Sequence, residues 1–488
     1  MQNQLTLSKS DFQRYLEAPL HLWACKHNSI QTQPSEFDLH LMQQGYQVED
    51  LAREYLYKHI LSPDSEKNLQ FQQTFSDGPF TARTDALVHK PQSETFDLYE
   101  IKSSTACKSE HIIDAAFQAL IVRQHRTLDR IFILYLNKDY VRQGALDLKA
   151  LFRTEDVTEK VHQIIPEIAS QRTDALAVAQ QNTPDGIPHC YKPKDCPCPD
   201  LCHPSLPQQS IYDIPRLLEK KKIQLLGQGI CAIKDIPHDF PLNAKQRKIV
   251  QIAQSGQPFV DTAAISHEFD AFQYPLYFLD YETYISAIPL FNGYHPQQQM
   301  VFQYSLHKMD ALNTYPTHSE FLSLIQDEPS RSLVEKLVKD IGDAGTVFVW
   351  NKTFEIGRNK ELSLLYPAYA AFFERLNMRI YDLGDFVDRG LYIHPDFKGS
   401  WSIKNVLPVM VPDLTYQGMP IGDGGEAMAA WGQLKSGKLS PAEFDQIKKD
   451  LLSYCELDTL AMVRIFKTLA AFLAYTFTNA LAHILKFI

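Results

Sequence analysis

An α/β chain is predicted, with two mixed-sheet domains and a helical connector between them, and three observations carry that expectation. Period-two alternation at residues 83–88 and 96–101, together with apolar runs such as Leu276-Tyr277-Phe278-Leu279, marks strands. Apolar residues at helical spacing lie between them, as in Phe12, Tyr15, Leu16, Leu20, Leu22 and Trp23. Carboxylates fall on these strands in two separate sets, one in each half of the chain. With 488 residues the chain can build several full cores, and the predicted boundaries are 1–205, 206–270 (the connector) and 271–488.

Composition is that of an ordinary globular protein, 44% hydrophobic and 22% charged. A formal net charge of -10 argues against coating duplex DNA by charge alone, because such binding releases counterions through many Lys and Arg. It does not exclude a nuclease, whose acidic centres are offset by bound cations. The start, Met1-Gln2-Asn3-Gln4-Leu5, lacks a basic region followed by an apolar run, so no secretory signal and a cytoplasmic location are expected. Residues 468–485 carry no charged side chain over a length that can span a bilayer, but Thr476, Thr478, Asn479 and His483 interrupt them. A buried terminal helix without stable membrane association is expected, a tail anchor being the alternative.

Taken in order, Ser8-Lys9-Ser10-Asp11 offers a helix N-cap, Pro19 marks a break, and a second helix near residues 40–57 carries Gly45 and Glu49. The two alternating runs, separated by Lys90-Pro91-Gln92-Ser93, read as a hairpin. Alternation puts Glu100 and Lys102 on one side of its second strand, and Asp85 on the neighbouring strand can join them. Two carboxylates and an ammonium converging on a point suit phosphodiester hydrolysis: the carboxylates hold a divalent cation, and the ammonium stands beside the attacking water or developing charge. Glu49 is the candidate third carboxylate. A following helix with Asp114 and Gln118, closing on the strand Ile131-Phe132-Ile133-Leu134, places Gln118 above the site.

Of eight cysteines, Cys190, Cys196, Cys198 and Cys202 crowd together, while Cys25, Cys107, Cys231 and Cys455 are scattered. In a chain without a signal peptide this favours a metal site over disulfides. Thiolates hold iron–sulfur clusters and zinc alike, and spacing does not decide between them. Residues 205–270 read as short helices. The small basic run Lys220-Lys221-Lys222 beside a glycine-containing turn there could contact a nucleic-acid backbone.

The second acidic set begins where the strand through Tyr277 reaches Asp280-Tyr281-Glu282, two carboxylates on one strand face. Thr346-Val347-Phe348-Val349-Trp350 reads as a buried strand, followed by a helix with Glu355. Near the end, Tyr454 and Asp458 are four residues apart on a helix and therefore share a face.

Gly45-x-x-x-Glu49, Asp85, Glu100-Ile101-Lys102 and Gln118, in that order, resemble the RecB-like branch of the PD-(D/E)xK nucleases, whose nuclease domain is closed by a cysteine-bound iron–sulfur cluster. That resemblance implies that Cys190, Cys196 and Cys202 are cluster ligands. It also implies a fourth ligand near the amino terminus, directly before a proline. Ala18-Pro19 stands there, so either Cys25 substitutes or Cys198 completes a local four-cysteine site. Asp280-x-Glu282, Glu355 and Tyr454-x-x-x-Asp458 are similar to the motifs of DnaQ-like, RNase H-fold exonucleases, with glutamate at 355 where aspartate is usual. Here the resemblance implies two divalent metals held by the four carboxylates, with Tyr454 orienting or deprotonating the water. Taken whole, the chain resembles a bacterial family of unknown function that fuses these two nuclease types around a cysteine cluster.

The expected function is hydrolysis of DNA or RNA with Mg²⁺ or Mn²⁺, in repair, recombination or defence. Glu49, Asp85 and Glu100 would hold metal in the first domain, with Lys102 assisting the water and Gln118 orienting. Asp280, Glu282, Glu355 and Asp458 would do so in the second. No helicase phosphate loop is present, so unwinding would come from a partner. The competing expectation is a nucleic-acid-binding scaffold with partly idle sites.

Overall fold

The computed structural model describes residues 5–30, 34–61, 68–324 and 327–484. It falls into two compact units, residues 1–205 with 285–298 and residues 206–284 with 299–488. Both are α/β with a five-stranded sheet.

In the first unit, α1 (Lys9–Glu17) opens on a capping box in which the Ser8 hydroxyl accepts from the Asp11 N–H and the Asp11 carboxylate accepts from the Ser8 N–H. It stops at extended Ala18, and Pro19 starts α2 (Pro19–Lys26) at a position where its missing N–H costs nothing. Next come α3 (Glu36–Tyr55), β1 (Leu69–Phe71), β2 (Thr74–Asp77), β3 (Phe80–Arg83), β4 (Ala86–Lys90) and β5 (Thr95–Lys102). They are followed by α4 (Ser109–Val122), β6 (Leu128–Leu136), α5 (Leu148–Leu151), β7 (Phe152–Asp156), α6 (Thr158–Gln180) and α7 (Pro199–Cys202).

The sheet runs β1-β4-β5-β6-β7. The alternating runs pair antiparallel as β4 and β5, with Ala86 opposite Tyr99. β5 and β6 are parallel, with α4 as the crossover between them. Alternation divides the core: Leu87, Leu98 and Ile131 pack with Phe117 of α4 and Ile168 of α6, whereas Ala86, Val88 and Tyr99 pack with Val48 and Ala52 of α3.

Residues 285–298, expected within the C-terminal domain, join this first unit. Hydrogen bonds account for it. Gln44 donates to the Ile285 carbonyl at 2.9 Å, Arg142 to the Leu290 carbonyl at 2.7 Å, and Gln297 to the Ser103 carbonyl at 2.8 Å.

The second unit opens with α8 (Glu219–Gly227), α9 (Ala244–Ser255), β8 (Phe259–Val260) and α10 (Thr262–Asp270). Its sheet strands follow, with the helices between them: β9 (Leu276–Ile285), β10 (Gln299–Met309), β11 (Thr317–Leu322), α11 (Ser330–Asp340), β12 (Val347–Val349), α12 (Lys352–Leu365), α13 (Ala370–Met378) and β13 (Ile380–Asp382). The remainder is α14 (Asp385–Asp388), β14 (Tyr392–Ile393), α15 (Ile403–Met410), α16 (Gly424–Lys435) and α17 (Pro441–Ile484). The sheet order is β11-β10-β9-β12-β13. β10 and β11 are antiparallel, while β12 lies parallel to both β9 and β13.

Residues 206–270 do not form a free-standing connector. They have a small core of Ile211, Leu225, Ile233 and Val250, and they are built into the second unit. β8 pairs with β14. Gly399, at φ +63°, approaches so closely that a Cβ there would stand 1.9 Å from the Asp213 carbonyl oxygen. Among the described residues no helix is long and apolar enough to cross a membrane. In the 468–485 stretch, Leu485 and the side chains beyond Leu473 lie outside the described residues.

Candidate functional site

The first acidic site lies where β5 faces α4. Glu100 is wholly buried. Its Oε1 is 2.6 Å from the Lys9 ammonium and 2.8 Å from that of Lys102, and its Oε2 accepts from the Gln118 amide. Lys102 also donates to Asp114 at 2.6 Å, and the other Asp114 oxygen accepts from Gln13 at 2.6 Å. Burial alone would raise the Glu100 carboxyl, but the two ammonium groups outweigh it and hold the group well below its usual range. Asp85 moves the other way, raised by burial and then by the Glu100 charge, although one of its oxygens accepts from the Ile101 N–H at 2.8 Å. Glu49 is held by Gln72 at 2.6 Å. A cleft of about 290 Å³ is lined by Gly45, Tyr46, Glu49, Asp85, Lys102 and Ser103. Five of the expected residues therefore gather here. Lys9 and Asp114, which the sequence left as a helix-cap neighbour and a helix residue, complete the network.

The second acidic site is built from three elements. Asp280 and Glu282 share one face of β9, while Tyr281 between them points the other way, its hydroxyl donating to Asn359 at 2.9 Å. Glu355 sits in the first turn of α12, which leaves directly from β12 beside β9. Asp458 and Tyr454 come from α17, which is pinned to β10: Gln303 donates to the Leu451 carbonyl at 2.9 Å, and the Ser305 and Thr459 hydroxyls meet at 2.7 Å.

Asp280 and Glu282 carboxylate oxygens and the Cys455 sulfur all lie within 4.8 Å of one another. Glu355 is 1% exposed, and its Oε2 has no hydrogen-bond partner. Among the described residues none of the four carboxylates has a Lys or Arg at ion-pair distance. The electrostatics follow. Burial and then the Asp458 charge raise both Asp280 and Glu282, and burial lifts Glu355 to about 8. Asp458 is also raised by burial, moderated by hydrogen bonds from Tyr416 (2.5 Å) and Tyr454 and by nearby Lys404. Burial and the Asp458 charge push the Tyr454 phenol far up. Tyr416, Lys404 and Cys455 were not anticipated as site residues; Lys404 had a signal, in the Ser402-Ile403-Lys404 helix start.

The cysteines gather in the first unit. The donor atoms of His21, Cys196, Cys198 and Cys202 all lie within 4.8 Å of one another, and Cys190, Cys196 and His203 form an adjoining group. Burial raises the thiols, Cys198 to about 11 and Cys202 to about 12, and pulls His203 down to about 4. Cys25 does not join. It lines a cleft with Arg14, Glu17 and Asp195 and belongs to neither group of close donor atoms.

These features define a mixed α/β protein with a buried Cys/His cluster able to bind a metal and two acidic centres. Residues 277–402, about a quarter of the chain, match the family described as "Domain of unknown function (DUF2779)". The matched segment contains Asp280, Glu282 and Glu355 but not Tyr454 or Asp458. A similar curated protein is "Uncharacterized protein UU173" of Ureaplasma parvum serovar 3 (strain ATCC 700970), 26% identical over 209 residues. Those residues are 38% of this chain and 30% of that relative, so the chain spans under a third of its length. Among solved structures, "Crystal structure of SSO0001" matches at 12% identity and a TM-score of 0.23, covering 40% of this chain and 85% of that one.

Proposed function

We propose that the protein is a metal-dependent nuclease acting on DNA or RNA, with a PD-(D/E)xK-like centre in the first unit and an RNase H-like, DnaQ-like centre in the second. The observation that carries this reading is the meeting of Asp280, Glu282, Glu355 and Asp458, from β9, α12 and α17, with no Lys or Arg at ion-pair distance among the described residues and only Lys404 and Arg358 nearby. Buried like charges at this density need compensation, and an all-oxygen donor set with an unpartnered Glu355 oxygen fits a hard divalent ion. The sheet order, three consecutive strands followed by two parallel additions beside the first, supports the RNase H-like assignment.

Mg²⁺ or Mn²⁺ bound there would polarise the scissile phosphate and lower the pKa of a bound water. The chain's own groups do the rest. Tyr416 and Tyr454 donate to Asp458 and fix its orientation, and Lys404 adds positive charge on the side of Glu282 and Asp458. In the first unit Glu49, Asp85 and Glu100 are the carboxylates for a metal, Gln118 holds Glu100 in place, and Lys102 stands at the cleft wall ready to stabilise developing negative charge.

A scaffold reading has one specific observation in its favour: both Glu100 oxygens are already satisfied by Lys9, Lys102 and Gln118. Cleavage of end-labelled single-stranded DNA, duplex DNA and RNA, with Mg²⁺ or Mn²⁺ against chelator, separates the two. The nuclease reading expects cation-dependent products. Tight binding without cleavage under every cation would leave the scaffold.

A further inference from the structure

The family resemblance implies an iron–sulfur cluster held by cysteines, but the donor atoms are arranged for something else. The Cys198 and Cys202 sulfurs are 3.6 Å apart, and the Cys196 sulfur is 3.5 Å from His21 Nε2. With Zn–S near 2.3 Å and Zn–N near 2.0–2.1 Å, a tetrahedral zinc sets its donors about 3.8 Å apart for two thiolates and about 3.5 Å apart for a thiolate and an imidazole. In an iron–sulfur cube each thiolate binds its own iron, so the sulfurs stand farther apart than donors sharing one ion. The geometry points to a mononuclear zinc site of three cysteines and one histidine, with His21 as the amino-terminal ligand in place of the cysteine that the resemblance implies.

Three further observations agree. His21 is 4% exposed, so its imidazole is withdrawn from solvent beside the thiols. Its Nε2 faces the sulfurs, while its Nδ1 is buried without a hydrogen-bond partner, 3.7 Å from the Glu17 carboxylate one turn earlier. Its helix is already tied to the same region, since the Leu20 N–H donates to the Pro188 carbonyl at 3.1 Å and the Trp23 indole to the Gln181 carbonyl at 2.9 Å. Cys190 lies 3.3 Å from His203 Nε2 in the adjoining group and outside the mutually close set of four. Binding would displace one proton from each of the three thiols and staple α2 to the 196–202 segment.

The test is metal analysis of the full-length, tag-free protein purified anaerobically, followed by cobalt substitution. About one zinc per chain, no acid-labile sulfide, and a tetrahedral cobalt spectrum with thiolate charge transfer are expected. Iron with stoichiometric sulfide would overturn the proposal. His21→Ala is expected to weaken zinc binding at least about tenfold, whereas Cys25→Ser and Cys190→Ser retain one zinc. Because His21→Ala could fail to fold, His21→Cys serves beside it. It is expected to bind cobalt with a fourth thiolate's charge-transfer intensity, and a spectrum identical to wild type would remove His21 from the site. None of these readouts depends on nuclease activity, so the zinc site and the proposed function fail separately.

Discussion

Glu355 gives the sharpest prediction. Its carboxyl is 1% exposed with one oxygen unpartnered, and burial raises it from 4.5 to about 8. A carboxyl raised in the folded state is protonated there while the unfolded chain is already ionised. Its contribution to stability is therefore complete below the unfolded value and is lost as pH climbs through the folded one. Without added divalent cation the loss amounts to about 4–5 kcal/mol at 1.36 kcal/mol per unit.

Glu355→Gln removes that dependence but leaves a buried amide short of partners, at a cost of about 1–3 kcal/mol. The variant should thus be slightly less stable than wild type near about pH 5 and more stable by about 2–3 kcal/mol near about pH 9. That is a midpoint rise of about 4–6 °C for a unit of this size. Thermal melts across this range, without added cation, should give crossing curves. Mn²⁺ should then raise the wild-type midpoint at alkaline pH far more than that of the variant. Parallel pH curves, or equal responses to Mn²⁺, would refute the reasoning.

Replacing Lys9 with Met leaves buried Glu100 with one ammonium instead of two. It should destabilise the first unit by about 3 kcal/mol in urea at neutral pH, and the loss should shrink as acid protonates Glu100, whose carboxyl the two ammonium groups hold low against its burial. An unchanged urea midpoint would count against the network. Tyr416→Phe removes the 2.5 Å bond to Asp458 and should cut Mn²⁺ affinity by about tenfold in calorimetric titration; undiminished affinity would place Tyr416 outside the site. Gly399→Ala combines φ +63° with a Cβ 1.9 Å from the Asp213 oxygen and should cost at least about 2 kcal/mol, seen as a lower thermal midpoint. A neutral result would mean that residues 206–270 are not built into the second unit as described.

The parts of these sites legible in the sequence are those set by local geometry. Strand alternation put Glu100 with Lys102 and Asp280 with Glu282, and helical spacing put Tyr454 with Asp458. Lys9 reaches Glu100 across 91 positions, and His21 reaches Cys196 across 175; no periodicity encodes such meetings, which depend on how α1 and α2 fold back over the sheet and the cysteine loop. The same limit applies to residues 285–298. Their chemistry is ordinary, and hydrogen bonds with Gln44, Arg142 and Ser103 draw them into the first unit. His21 did leave a trace, a lone histidine between Leu20 and Leu22 just past the proline where a ligand was expected, but a histidine among apolar residues is more often simply buried.

The most direct test of the central claim compares wild type with Lys102→Ala, Asp280→Asn and the double variant in Mn²⁺-dependent cleavage of end-labelled nucleic acid. Two working centres predict partial loss in each single variant, with different product patterns, and complete loss in the double. Full cleavage by the double variant would contradict the account.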